Sequence, residues 1–99
     1  MATYVILPIM HQKAKRLGLR LRPSRNPTKK IDAIDSKGRV TSFGGNGYGD
    51  FYVFQKTKGD KYAKERRKLY KIRHAKDRIV RRDSSGKYTA GFLADQILW

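Results

Sequence analysis

Apolar positions in this chain come in short runs, separated by glycine, proline and charge, and their spacing changes along its length. Residues 4–7 form an apolar run with the look of a short strand. Pro8 then suits the first turn of a helix over 8–17, with Gly18 just past its end. Starting that helix at Thr3 instead would place Pro8 inside it, where proline removes a hydrogen bond and clashes with the preceding turn. Leu19-Arg20-Leu21-Arg22 alternates with the period of a half-buried strand and stops at Pro23. A polar loop follows over 24–30, with Asn26-Pro27 as its turn signal. Residues 30–35 and 39–43 flank Ser36-Lys37-Gly38 and carry Ile31, Ile34, Val40, Thr41 and Phe43, the pattern of a β-hairpin in which Gly38 supplies a positive φ.

Past the hairpin the period lengthens. The loop Gly44-Gly45-Asn46-Gly47-Tyr48-Gly49 leads to Asp50, which can cap a two-turn helix over 51–58, although Phe51, Tyr52, Val53 and Phe54 in a row also suit a buried strand. Asp60 is expected to cap a main helix over 61–78, roughly 27 Å long at 1.5 Å per residue. After a polar loop over 81–87, Thr89 can cap a short helix through 98. The pattern predicts a single α+β domain over 1–99. It comprises a small, mostly antiparallel three-stranded sheet with a long basic helix and a short C-terminal helix packed on it.

At 100° per residue the main helix divides into two faces. Tyr62, Ala63, Leu69 and Tyr70 gather on one side with Arg66 and Arg73, which are expected to lie against tyrosine rings or to pair with Asp77 or Asp95. The other arc holds Lys64, Arg67, Lys68, Lys71 and Arg78, expected to be free and aligned for phosphate contact. Phe92, Leu93, Ile97 and Leu98 suit a docked face. The tail ending in Trp99 is expected to close over the basic helix, with anchoring in a partner's pocket as the other possibility.

Charge decides the functional class. The 99 residues carry a formal net charge of +16, well outside the magnitude of about 2–8 that solubility alone calls for. Thirteen Lys/Arg lie between Lys56 and Arg82 against three acids (Asp60, Glu65, Asp77), a local excess of ten. A second basic lobe precedes Asp32, where Arg16, Arg20, Arg22, Arg25, Lys29 and Lys30 occur before any acid. Such density points to a polyanionic partner. Nucleic acid comes first, DNA ahead of RNA, and acidic protein surfaces are the alternative.

Other chemistries find little support. The chain has no cysteine, which excludes disulfides and thiolate sites and fits a reducing compartment or a virion interior. His11 and His74 have no partner at metal-ligand spacing, and no nucleophile–base order or paired-carboxylate motif occurs. No enzyme, metal or cofactor is therefore expected. The glycine loop could form an anion nest, but it lacks the Gly-Lys-Ser/Thr ending of a nucleotide P-loop and reads more simply as a tight connection. The apolar start is too short to span a bilayer and lacks the flanks of a signal peptide, so neither secretion nor a membrane is expected.

Several runs also carry a resemblance: Gly47-Tyr48-Gly49-Asp50-Phe51, the stretch over 58–70, Arg73-His74-Ala75-Lys76-Asp77-Arg78, and the ending Gly91-Phe92-Leu93-Ala94-Asp95-Gln96-Ile97-Leu98-Trp99. Over about residues 14–99 the chain resembles a family of small basic proteins of unknown function encoded by large DNA viruses of algae and protists. Members often have proline after the first aromatic of the Asp50 helix, where this chain has Tyr52. The resemblance implies no particular activity. It implies a viral setting, the virion or the host-cell interior, in which basic proteins accompany the packaged genome or line the capsid.

Overall fold

A computed structural model describes residues 4–99 of the chain. Helix α1 (Pro8–Arg16) precedes strands β1 (Arg20–Pro23), β2 (Lys29–Ile34) and β3 (Val40–Gly45). Helices α2 (Phe51–Lys58), α3 (Asp60–Arg73), α4 (Ala75–Ile79) and α5 (Ala90–Leu93) follow, and a π-helical turn, Ala94–Leu98, ends the order. The strands form one antiparallel sheet in the order β1-β2-β3. This is the α+β architecture that the spacing predicts.

Local chemistry accounts for most of the boundaries. Pro8 opens α1 from an extended Leu7, so the first turn loses no hydrogen bond to proline. Residues 4–7 are irregular and form no strand, and the alternative helix start at Thr3 lies outside the described residues. Gly38, with φ 78°, closes the hairpin, while the Asp35 carboxylate accepts the N–H groups of Lys37 and Arg39. Asp50 caps α2 by accepting the Val53 N–H at 2.9 Å, which decides the helix-or-strand question over 51–58.

Two expectations need correction around α3. Its N-cap is Gly59, not Asp60: at φ 91° this glycine both ends α2 and starts α3, leaving Asp60 as the first helical residue with no capping bond. The helix also stops at Arg73 rather than running on to Arg78. His74 leaves the helical region (φ −109°, ψ 29°), and the Lys71 carbonyl accepts a bond from the Arg78 guanidinium at 2.8 Å. The straight part is therefore about 21 Å long.

The core sits on one face of the sheet. Ile31, Ala33 and Phe43 share that face by alternation and register. They pack with Met10 and Ala14 of α1 and with Leu93, Ile97 and Leu98 of the C-terminal segment. Asp32, one position out of phase, is buried on the opposite face and gathers the hydroxyls of Ser24 and Ser42 (2.6 Å each), the Arg25 N–H and the Arg22 guanidinium. Burial pushes this carboxyl up, but those four donors outweigh it and hold the group down at about 2. Helices α2 and α3 pack on each other, and the C-terminal turn packs on β3 and α1.

Candidate nucleic-acid interface

Helix α3 is docked by its charged residues as much as by its apolar ones. Ala63 is its one buried residue, and Arg66, Arg67, Tyr70 and Lys71 flank it at half-burial. That arc is turned by about 70° from the arc that hydrophobicity selects. Its cations have specific seats. Arg67 lies 4.3 Å over the Phe51 ring and Arg66 lies 5.7 Å over Phe54. Lys71 pairs with the fully buried Asp95 at 3.1 Å and also donates to the Asp95 carbonyl at 2.8 Å. Arg78 reaches the same carboxylate at 2.9 Å. Burial lowers the Lys71 ammonium below its ordinary range, Asp95 opposes this, and Arg78 and Lys13 add to the fall.

The expected division of α3 is thus corrected on both sides. Arg67, Lys71 and Arg78 are not free outward cations, because an aromatic face and a buried carboxylate claim them. Among the expected inward residues, Tyr62 is 42% and Leu69 46% exposed, and Arg73 is exposed with no ion pair among the described residues. Asp77 pairs with His74 at 3.2 Å rather than with Arg73. The expectation holds for Tyr70 and the tail, where Trp99 stacks on Tyr70 at 4.5 Å and His74 stacks on the same ring at 4.2 Å, while the exposed Tyr62 keeps only an edge-on contact with Phe54 at 5.3 Å. Burial, then Asp77 and Asp95, raise the Tyr70 hydroxyl to about 12, so it stays protonated across the neutral range.

In the first basic lobe, Arg16, Arg20 and Arg25 are exposed and Lys29 is half-buried, none with a carboxylate partner among the described residues. Arg22 is tied to Asp32 at 3.3 Å, and Lys30 is buried against Asp50 at 3.0 Å, where Tyr4 also donates to the carboxylate. On α3, Lys64 and Lys68 remain exposed and unpaired, with Lys61 one turn before them. Lys13 is a residue that the sequence reading did not select. It projects from α1 onto the Tyr52 hydroxyl at 2.6 Å and is near enough to Lys71 to shift its proton affinity, so the two basic lobes approach each other there. The signal that could have found it is its place one helical turn before Arg16.

Five of the 24 Lys/Arg (Arg22, Lys30, Arg39, Lys71, Arg78) form ion pairs, which leaves nineteen outside them. Among the described residues five of the eight carboxylates are taken by these cations or by His74, which leaves Asp60, Glu65 and Asp83. The unspent charge is almost wholly positive. Among the described residues no helix is long and apolar enough to cross a membrane, and no group of acidic and histidine side chains could hold a metal ion. In comparisons with protein-family models, curated proteins and solved structures, no match to the chain is found.

Proposed function

We propose that this chain is a non-catalytic nucleic-acid-binding protein that grips the phosphate backbone with little sequence preference. DNA is favoured over RNA, and the setting is a virion. The observation that carries the reading is the imbalance of charge outside ion pairs: among the described residues nineteen cations, some of them seated on aromatic faces, stand against three carboxylates. Acids on a merely solvated surface would be interspersed with the cations, whereas here three of the eight (Asp32, Asp50, Asp95) are buried in the fold and two more are held in local ion pairs. Lys61, Lys64 and Lys68 on α3, with Arg16, Arg20 and Arg25 beside the sheet, form the contact set. The viral setting rests on the sequence resemblance.

The test is a binding titration on duplex DNA across salt concentrations. Neutralising about six phosphates gives a slope of log K against log salt near −5. Replacing Arg16, Arg20, Lys64 and Lys68 together with Gln should weaken binding on every sequence alike and flatten the slope by about 3–4. A slope near zero in the parent protein overturns the reading, and equal affinity for heparin reduces it to polyanion binding.

A second reading, a minor capsid or assembly protein whose basic face meets acidic protein surfaces, is favoured by exposed apolar residues beside the cations. Ile72 is 66% exposed and Ile79 is 79% exposed. Retention at fixed stoichiometry in nuclease-treated particles would support this second reading, and release by nuclease the first.

A further inference from the structure

Beneath the glycine loop lies a cavity of about 300 Å³. Its walls include Gly45 and Tyr48 of the loop, Arg66 and Arg73 of α3, and the stacked rings of Tyr70 and Trp99. Arg66 lines the cavity with its Nε buried and without a hydrogen-bond partner, and Arg73, exposed, has no ion pair among the described residues. A buried donor without an acceptor is uncommon in folded proteins, and no carboxylate among the described residues neutralises the Arg66 guanidinium at the cavity wall. Two guanidiniums one cavity apart, each with donors unused, match the oxygens of a phosphate group.

The one acid in the wall does not oppose this. Asp50 Oδ2 accepts from Lys30 at 3.0 Å and from Tyr4 at 2.6 Å, and Oδ1 accepts the Val53 N–H, so its charge is answered within the fold. The aromatic walls add a second requirement. Trp99, and Tyr48 at 78% exposure, offer flat apolar surface that a bare phosphate would leave unused. The volume is at the lower end of the roughly 300–1,000 Å³ of small-molecule sites, suited to one nucleotide and too small for a run of them.

We infer that this cavity binds a nucleoside monophosphate, its phosphate on Arg66 and Arg73 and its base against the aromatic wall. The ligand is either a free nucleotide or the 5′-terminal residue of a strand. This site is separate from the backbone-contact set above and uses none of its cations.

The chain has a single tryptophan, Trp99, so its fluorescence reports on the cavity directly. Titration with adenosine 5′-monophosphate should quench it saturably, at least tenfold more tightly than adenosine or inorganic phosphate does. Arg73→Gln, at an exposed position that the fold does not use, should weaken this binding at least tenfold with an unchanged melting temperature. Lys64→Gln should leave it unaltered while weakening duplex binding, so failure of one site is read apart from failure of the other. No saturable quenching, equal binding of adenosine, equal binding of inorganic phosphate, or indifference to Arg73→Gln would each overturn the inference. Tighter binding of a 5′-phosphorylated oligonucleotide than of its 5′-hydroxyl form supports the strand end as the source of the ligand. Equal binding of those two alongside tight nucleotide binding supports the free nucleotide.

Discussion

The two halves of this molecule are held together by different means. Around the sheet, Met10, Ile31, Phe43, Leu93 and Ile97 are fully buried and form a continuous apolar core. Across α2 and α3, Phe51 and Ala63 are the buried apolar residues. The joint is made by guanidiniums on aromatic faces, the Tyr70–Trp99 stack, and two cations on Asp95. The first half uses the general, non-directional effect of removing apolar surface from water. The second uses contacts that need particular geometry, and in return its helix stays basic while docked. Part of the positive charge in this chain is structural, and composition alone counts it as functional.

The contrast can be broken most severely in the apolar half. Phe43→Ala should cost about 3–5 kcal/mol, enough to unfold much of the population, as read from urea denaturation. Asp95→Asn should cost somewhat less, about 3 kcal/mol, because it strands Lys71 and Arg78 around a buried site but both remain partly wet. If Asp95→Asn is neutral, the ionic joint is ornamental and the two halves do not differ as described.

Acid probes a smaller effect. The Asp32 carboxyl is depressed in the fold relative to the unfolded chain, so its contribution is present above about pH 4 and is lost as pH falls toward about 2. That loss should amount to about 2 kcal/mol from the sheet half, and Asp32→Asn should flatten the pH dependence of stability over that range. Smallest of all, Leu69→Ala should change stability by less than about 0.5 kcal/mol, because the side chain is nearly half exposed. A large cost there would restore the helix orientation that hydrophobicity alone selects.

The features legible in the sequence are those fixed within a few residues. The hairpin follows from Asp35 and Gly38 with their flanking alternation, α1 from Pro8, α2 from the Asp50 cap, and the C-terminal helix start from Thr89, which accepts the Phe92 N–H. The docking face of α3 was hidden because its determinants are remote. Asp95 lies 24 residues from Lys71 and 17 from Arg78, and a helical wheel has no means of showing an acid so far along the chain. Of the proposed contact residues, Lys64, Lys68, Arg16, Arg20 and Arg25 are exposed as expected. Lys71, Arg78, Arg22 and Lys30 are spent on carboxylates, which sequence spacing could not reveal. The helical wheel places Arg73 on the side of Tyr70, yet no acid meets it among the described residues.

The π-helical turn at Ala94–Leu98 has a consequence for how this chain tolerates change in length. Such a turn is an α-helical one with a single extra residue in it. It turns Asp95, Ile97 and Leu98 inward together, the first toward Lys71 and Arg78 and the others into the apolar core. Removing one residue there would regularise the helix and leave composition almost untouched. It would also swing either the carboxylate or the core residues about 100° out of place. This short segment is therefore the part of the chain where a deletion costs more than almost any substitution, because both halves take their alignment from its count.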